Sequence, residues 1–185
     1  MYMTRILGGL VLGAALAGSV VAAEPEAHNF AAGTKAFTLA TEYVRERRDS
    51  DIYLANVSAG YGYYFWDNIA FEIHGVGYYA YDDAPAIGGG ASILARWHFL
   101  NIGRFSLYGD VLGGIMQLDG NFPNGGTHFN FTYQGGPGMA IQLRDSLFLI
   151  GGARFEHVSN GFIDGRDRNP IFNSYGGYIG LMWTF

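Results

Sequence analysis

The sequence predicts an all-β fold: an eight-stranded antiparallel β-barrel that spans a membrane. Three observations predict it. The composition is poor in charge (15% Asp, Glu, Lys and Arg) and rich in glycine and aromatics (29 Gly, 13 Tyr, 14 Phe). That balance suits a barrel whose outside faces lipid. Eight strand-like runs follow one another, separated by connections that alternate in length. The last run closes on bulky apolar residues at every second position and ends in Phe185.

The N-terminus reads as a secretory signal over residues 1–23. Arg5 supplies the positive start, Ile6 through Val21 form an apolar run, and Val21-Ala22-Ala23 offers small residues for cleavage. Residues 24–185 then form one exported domain. After the signal, no stretch reaches the roughly 18 unbroken apolar residues of a helical span. A membrane-spanning chain of this kind must therefore close its strands into a barrel, so that every backbone polar group is paired. The formal charge of -5 argues against a nucleic-acid partner. Without cysteine there is no disulfide, thiol nucleophile or thiolate metal site.

The runs, in order, are Thr34–Arg45, Ile52–Tyr64, Ile69–Tyr81, Ile87–Leu100, Arg104–Gln117, Phe129–Leu143, Leu147–Ser159 and Phe172–Phe185. Each is long enough for a tilted crossing, which needs about 9–11 residues. Phe65–Asn68, Asn101–Gly103 and Arg144–Ser146 are short turns, expected on the periplasmic side with both termini. Glu46–Asp51, Asp82–Ala86, Leu118–His128 and Asn160–Ile171 are more polar and generally longer, and are expected outside the cell. Paired glycines such as Gly135-Gly136 and Gly176-Gly177 give a narrow wall room to bend. Gly88–Ser92 lacks the lysine of a phosphate-binding loop and opens a strand, so it is not one. In the eighth run Ile179, Leu181, Trp183 and Phe185 share one face. That ending is similar to the C-terminal signal of bacterial outer-membrane barrels, which places the chain in the cell outer membrane.

The seventh run carries the chemistry. Leu147, Leu149, Gly151, Ala153 and Phe155 lie on one face, and Phe148, Ile150, Gly152, Arg154 and Glu156 on the other. Two charges belong inside a small barrel, where they can find partners. Counting on by twos then places His157 and Ser159 on the lipid face. The same parity in the eighth run puts Asn173, Tyr175 and Gly177 outside, with Asn173 near His157 across the hairpin.

Imidazole can take the proton of a serine hydroxyl near neutral pH, and a third group can hold the ring in one tautomer. The amide of Asn160 could donate to the oxyanion of an attacked carbonyl, assisted by the backbone of Gly161. These are the parts of an acyl-ester hydrolase, and hydroxyl, imidazole and amide need neither metal nor organic cofactor. A His-x-Ser pair also arises by chance at the membrane–water boundary, so the pair alone does not establish catalysis.

The run Phe155-x-His157-x-Ser159-Asn160-Gly161, followed by Asn169-Pro170 and Asn173-Ser174-Tyr175, resembles the lipid A 3-O-deacylase (PagL) family. The signal sequence, strand count and terminal Phe agree with it. The resemblance implies hydrolysis of the acyl ester at the 3 position of lipid A, the anchor of lipopolysaccharide. It implies His157 and Ser159 as the catalytic pair and Asn160 at the oxyanion. Well-characterised members carry a Glu at the start of the last strand, and by motif position Asn173 stands there. Asp164 or Asp167, folding back from the loop, is the alternative source of negative charge.

The expected partners are lipid A in the outer leaflet and the surrounding membrane lipids, with a homodimer as a further candidate. Arg45, Arg47 and Arg48 either meet lipid A phosphates or form a solvated loop. His74 with Glu72, and Arg96 with His98, read as structural pairs inside the lumen. His128 with Asp119 lacks metal-ligand spacing. Two rival readings stand beside hydrolysis: a non-catalytic barrel of structural, adhesion or porin-like role, and acyl transfer.

Overall fold

The computed structural model describes residues 30–49 and 51–185. The expected signal segment lies outside the described residues. Eight strands form a closed antiparallel barrel: β1 (Lys35–Glu46), β2 (Tyr53–Trp66), β3 (Ile69–Asp82), β4 (Ala84–Ile102), β5 (Phe105–Phe122), β6 (Thr127–Arg144), β7 (Leu147–Ser159) and β8 (Phe172–Thr184). β8 pairs back onto β1, from Ala36↔Thr184 to Glu46↔Ser174, so the sheet has no free edge.

Two of the polar connections are shorter than the sequence suggests. Asp82 pairs directly with Ala84, leaving Asp83 alone at the tip with a φ of 61°. The expected loop Leu118–His128 is a continuation of the β5–β6 hairpin, which closes at Phe122↔Thr127. The reason is that the inward residues stay apolar. Leu118 and Phe122 are buried with Ala86, Met116 and Phe172 in one cluster, so the strands continue as long as they have a core to cover. The polar residues knit the hairpins together: Ile87 N–H donates to Asp119 Oδ1 at 2.8 Å, and Asn124 N–H donates to Asp82 Oδ2 at 2.7 Å.

The lumen is filled in three layers. At the short-turn end Phe30 enters from the N-terminal side and stacks on His98, with ring centroids 3.8 Å apart, beside Tyr64 and Phe148. At the other end Val44, Leu54, Tyr78, Val158 and Phe172 form a second apolar plug. Between them lies a chain of ion pairs. Arg96 contacts Glu72 at 3.2 Å and Asp110 at 2.9 Å, and Arg154 contacts Glu42 at 3.1 Å and Asp110 at 3.5 Å. Buried charges of this kind hold together only while each keeps its partner. A cavity of about 30 Å³ remains among Glu42, His74, Arg96 and Arg154, room for about one water.

Glycine lets neighbouring strands approach. A Cβ at Gly176 would lie 1.9 Å from the Tyr43 carbonyl oxygen of β1. The outer wall is apolar, with Leu39, Val57, Ile73, Ile93, Val111 and Ile179 exposed. Aromatic bands border it. Trp66, Trp97 and Phe185 lie toward the short-turn end, and Tyr53 packs against Tyr43 and Tyr81 toward the other.

Candidate functional site

The site lies at the end of β7 away from the short turns. Its placement follows from the two charges one turn of the pleat earlier. Arg154 and Glu156 are buried in the lumen, where Arg154 pairs with Glu42 and Glu156 Oε1 accepts from Gln134 Nε2 at 2.8 Å. With those two fixed inward, Phe155, His157 and Ser159 turn outward. Phe155 packs against Tyr175 of β8 with ring centroids 5.3 Å apart, which forms an aromatic shelf below the imidazole.

His157 and Asn173 are direct partners in the β7–β8 ladder. His157 Nδ1 is 2.8 Å from Asn173 Oδ1, and His157 Nε2 is 3.2 Å from Ser159 Oγ. An amide oxygen only accepts, so Nδ1 carries the proton in that contact. In the neutral ring Nε2 then has its lone pair free to accept from the serine hydroxyl. The three side chains therefore form one relay, oriented for removal of the Ser159 proton. Asp164 and Asp167, the alternative charges, are exposed in the β7–β8 connection. The Nδ1 position they would occupy is taken by Asn173.

Ser159 points outward by parity yet is only 9% exposed. Neighbouring side chains cover most of it. Ser159 is the ladder partner of Phe131 on β6, and the chain turns sharply just beyond it. Gly161 adopts a φ of 63°, a conformation that suits glycine, and a Cβ there would lie 3.1 Å from the Phe131 ring.

Asn160 is buried and strongly held. Its Nδ2 donates to the Arg168 carbonyl at 2.7 Å, and its Oδ1 accepts from Phe162 N–H at 2.9 Å. Its own N–H donates to Asn169 Oδ1 at 2.7 Å. One amide hydrogen of Asn160 thus closes the loop, and Nδ2 makes no second hydrogen bond among the described residues. Gly161 N–H has no hydrogen-bond partner among the described residues.

The structure also brings in residues that the sequence reading left aside. Tyr133 of β6 is the ladder partner of His157, with its ring 6.3 Å from the imidazole, and it is exposed. Phe131 flanks Ser159 in the same way. The alternation Phe129-x-Phe131-x-Tyr133 signals an outward aromatic row, but only the β6–β7 register shows which members meet the site. Arg47 N–H donates to the Asn173 carbonyl at 2.9 Å, so the Arg45, Arg47 and Arg48 segment borders the same strand end.

The other described histidines make their contacts away from this site. His74 Nε2 contacts Glu72 at 2.9 Å in the lumen, and His98 lies between Ser106 and Tyr64 at 2.7 and 3.0 Å. His128 Nδ1 meets the Leu118 carbonyl at 3.1 Å, apart from Asp119. No cluster of three or more His, Cys, Asp or Glu side chains suited to a metal ion occurs among the described residues.

Residues 45–182 match the family model for lipid A 3-O-deacylase (PagL). Among curated proteins no sequence match was found. Similar solved structures are outer-membrane barrels. Neisserial surface protein A (NspA) has 14% identity and a TM-score of 0.58, covering 83% of this chain and 98% of that one. The outer membrane protein OprG from Pseudomonas aeruginosa has 13% identity and a TM-score of 0.55, covering 84% and 97%. Outer Membrane Protein W of E. coli has 13% identity and a TM-score of 0.50, covering 84% and 99%. At such identities these likenesses show the fold alone. Nothing in the comparisons supports a homodimer.

Proposed function

The chain belongs to the lipid A 3-O-deacylase (PagL) family of the bacterial outer membrane, and from that premise we propose that it hydrolyses the 3-O-linked acyl ester of lipid A at Ser159. The observation that carries this reading is the hydrogen-bonded series Asn173–His157–Ser159 on the lipid-facing side of the wall.

Ser159 Oγ attacks the ester carbonyl carbon while His157 Nε2 takes its proton. The negative charge that forms on the carbonyl oxygen is met by the second Asn160 amide hydrogen and by Gly161 N–H. Collapse breaks the bond to the sugar oxygen, which receives the proton from the imidazolium. A water then repeats the sequence on the acyl-serine, releasing a fatty acid and restoring the enzyme. Asn173 fixes the tautomer, but as a neutral amide it offers no charge to the imidazolium, so His157 is a weaker base than it would be beside a carboxylate.

Replacing Ser159 by Ala tests this. Mass spectra of lipid A from cells expressing wild type should show loss of the 3-linked chain, and spectra with the variant should not. Equal loss with both would remove Ser159 from the mechanism. A mass gain instead of a loss would indicate acyl transfer.

The second reading is a non-catalytic barrel. One observation favours it: the third position of the relay holds Asn rather than Glu. The two apolar plugs oppose its porin-like form. A wild-type protein that releases no fatty acid in lipid would support it.

A further inference from the structure

The shelf of Phe155 and Tyr175 is the start of a longer row. Straight across the ladder, Phe155 pairs with Tyr175, Tyr175 with Arg45, Arg45 with Tyr53, and Tyr53 with Tyr81. All of these side chains are on the outer face, which His157 shares at the next outward position of β7. From β7 across to β3 the row is about 19 Å long, at about 4.8 Å per strand. It rises as it leaves the site. Phe155 lies inside β7, which runs on to Ser159, whereas Tyr53 opens β2 and Tyr81 comes directly before Asp82, the end of β3. We propose that the tyrosines of this row, centred on Tyr53, bind the sugar headgroup of the lipid whose ester reaches Ser159. This inference rests on the deacylase reading above.

The rings are assembled in advance. Tyr53 packs on Tyr43, Tyr79 and Tyr81, with centroids 5.6, 6.1 and 5.4 Å away. Side chains that already hold one another lose little freedom when a ligand arrives. Tyrosine joins a carbon ring to a hydroxyl, which matches the C–H faces and hydroxyls of a sugar where lipid meets water. A belt that only anchors a barrel is repeated around it. This cluster is not. On β4 the ladder partners of Tyr79 and Tyr81 are Ile87 and Pro85, and on β5 the outward residues toward the same end include Ile115 and Gln117. The tyrosines are concentrated on β1, β2 and β3, the strands that continue from the site through β8.

The test measures binding apart from catalysis. The full-length Ser159→Ala protein in detergent micelles is titrated with lipid A and, separately, with phosphatidylethanolamine, which has acyl chains and no sugar. Heat-shifted gel mobility confirms that each variant is folded. Adding Tyr53→Leu and Tyr81→Leu together should weaken lipid A binding by about tenfold, and each alone by about threefold, with phosphatidylethanolamine within about twofold. Tyr61, an exposed ring beside Phe185 at the short-turn end, is the control, and Tyr61→Leu should change neither affinity. Unchanged lipid A binding in the double variant, an equal loss for both lipids, or an equal loss in Tyr61→Leu would overturn the proposal. With Ser159 restored, the double variant should raise KM for lipopolysaccharide by about tenfold and keep kcat within about twofold. Fatty-acid release by Ser159→Ala itself separates the two levels. Continued release removes the catalytic assignment and leaves the binding result standing. Its inactivity beside unchanged lipid A binding in the double variant removes only the headgroup surface.

Discussion

His157 and Asn173 face each other across the last hairpin as ladder partners, with Nδ1 and Oδ1 2.8 Å apart. That contact sets the tautomer of the ring without placing a charge beside it. The site can be assembled correctly and still be a weak one.

Asn173→Glu should therefore raise kcat by about tenfold, equal to about 1.4 kcal/mol of transition-state stabilisation. Asn173→Ala should lower kcat by at least tenfold. Steady-state rates across pH in mixed micelles check this, and an unchanged or slower Glu variant would deny Asn173 the orienting role.

Asp164 and Asp167 are exposed in the β7–β8 connection, and the imidazole nitrogen they would serve is occupied. The double variant Asp164→Asn, Asp167→Asn should keep kcat within about twofold of wild type. A tenfold loss would restore a loop carboxylate to the mechanism.

Arg154 links Glu42 to Asp110 in the middle of the lumen. Arg154→Ala leaves buried Glu42 without its cation, while Asp110 keeps Arg96, a change that costs about 3–5 kcal/mol. The variant should lose its compact gel mobility at lower temperature than wild type. Equal thermal profiles would mean that the ion pairs contribute little to holding the barrel.

Phe30 fills the short-turn mouth against His98, Tyr64 and Phe148. Phe30→Ala should destabilise by about 3–5 kcal/mol, since the packed rings lose a partner and a cavity remains. Planar-bilayer recordings of wild type should show no steady conductance. A stable open channel in wild type would contradict the plugged lumen and favour a porin-like role.

Much of this was legible from alternation. Arg154 and Glu156 had to be inside, and that fixed His157 and Ser159 outside; the hairpin then brought Asn173 opposite. Other parts were hidden for identifiable reasons. The polar residues after Leu118 point to a loop, although Leu118 and Phe122 keep the inward period and the strands follow them. Phe131 and Tyr133 are visible as an aromatic row, but their contact with the site depends on register, which one irregularity between Gln142 and Arg144 offsets. Asn169 sits in a connection whose one regular piece is the short 3-10 turn Arg166–Arg168, so no periodicity points to its bond with Asn160. Ser159 is shielded by tertiary packing that parity cannot describe.

His157 and Asn173 face each other on the outer side of the barrel wall, not in the lumen. Under the proposed function, substrate arrives by lateral diffusion in two dimensions, and the relevant concentration is its mole fraction in the leaflet. Diluting lipid A with an inert lipid at fixed bulk amount should then slow turnover, whereas diluting the whole membrane suspension should not.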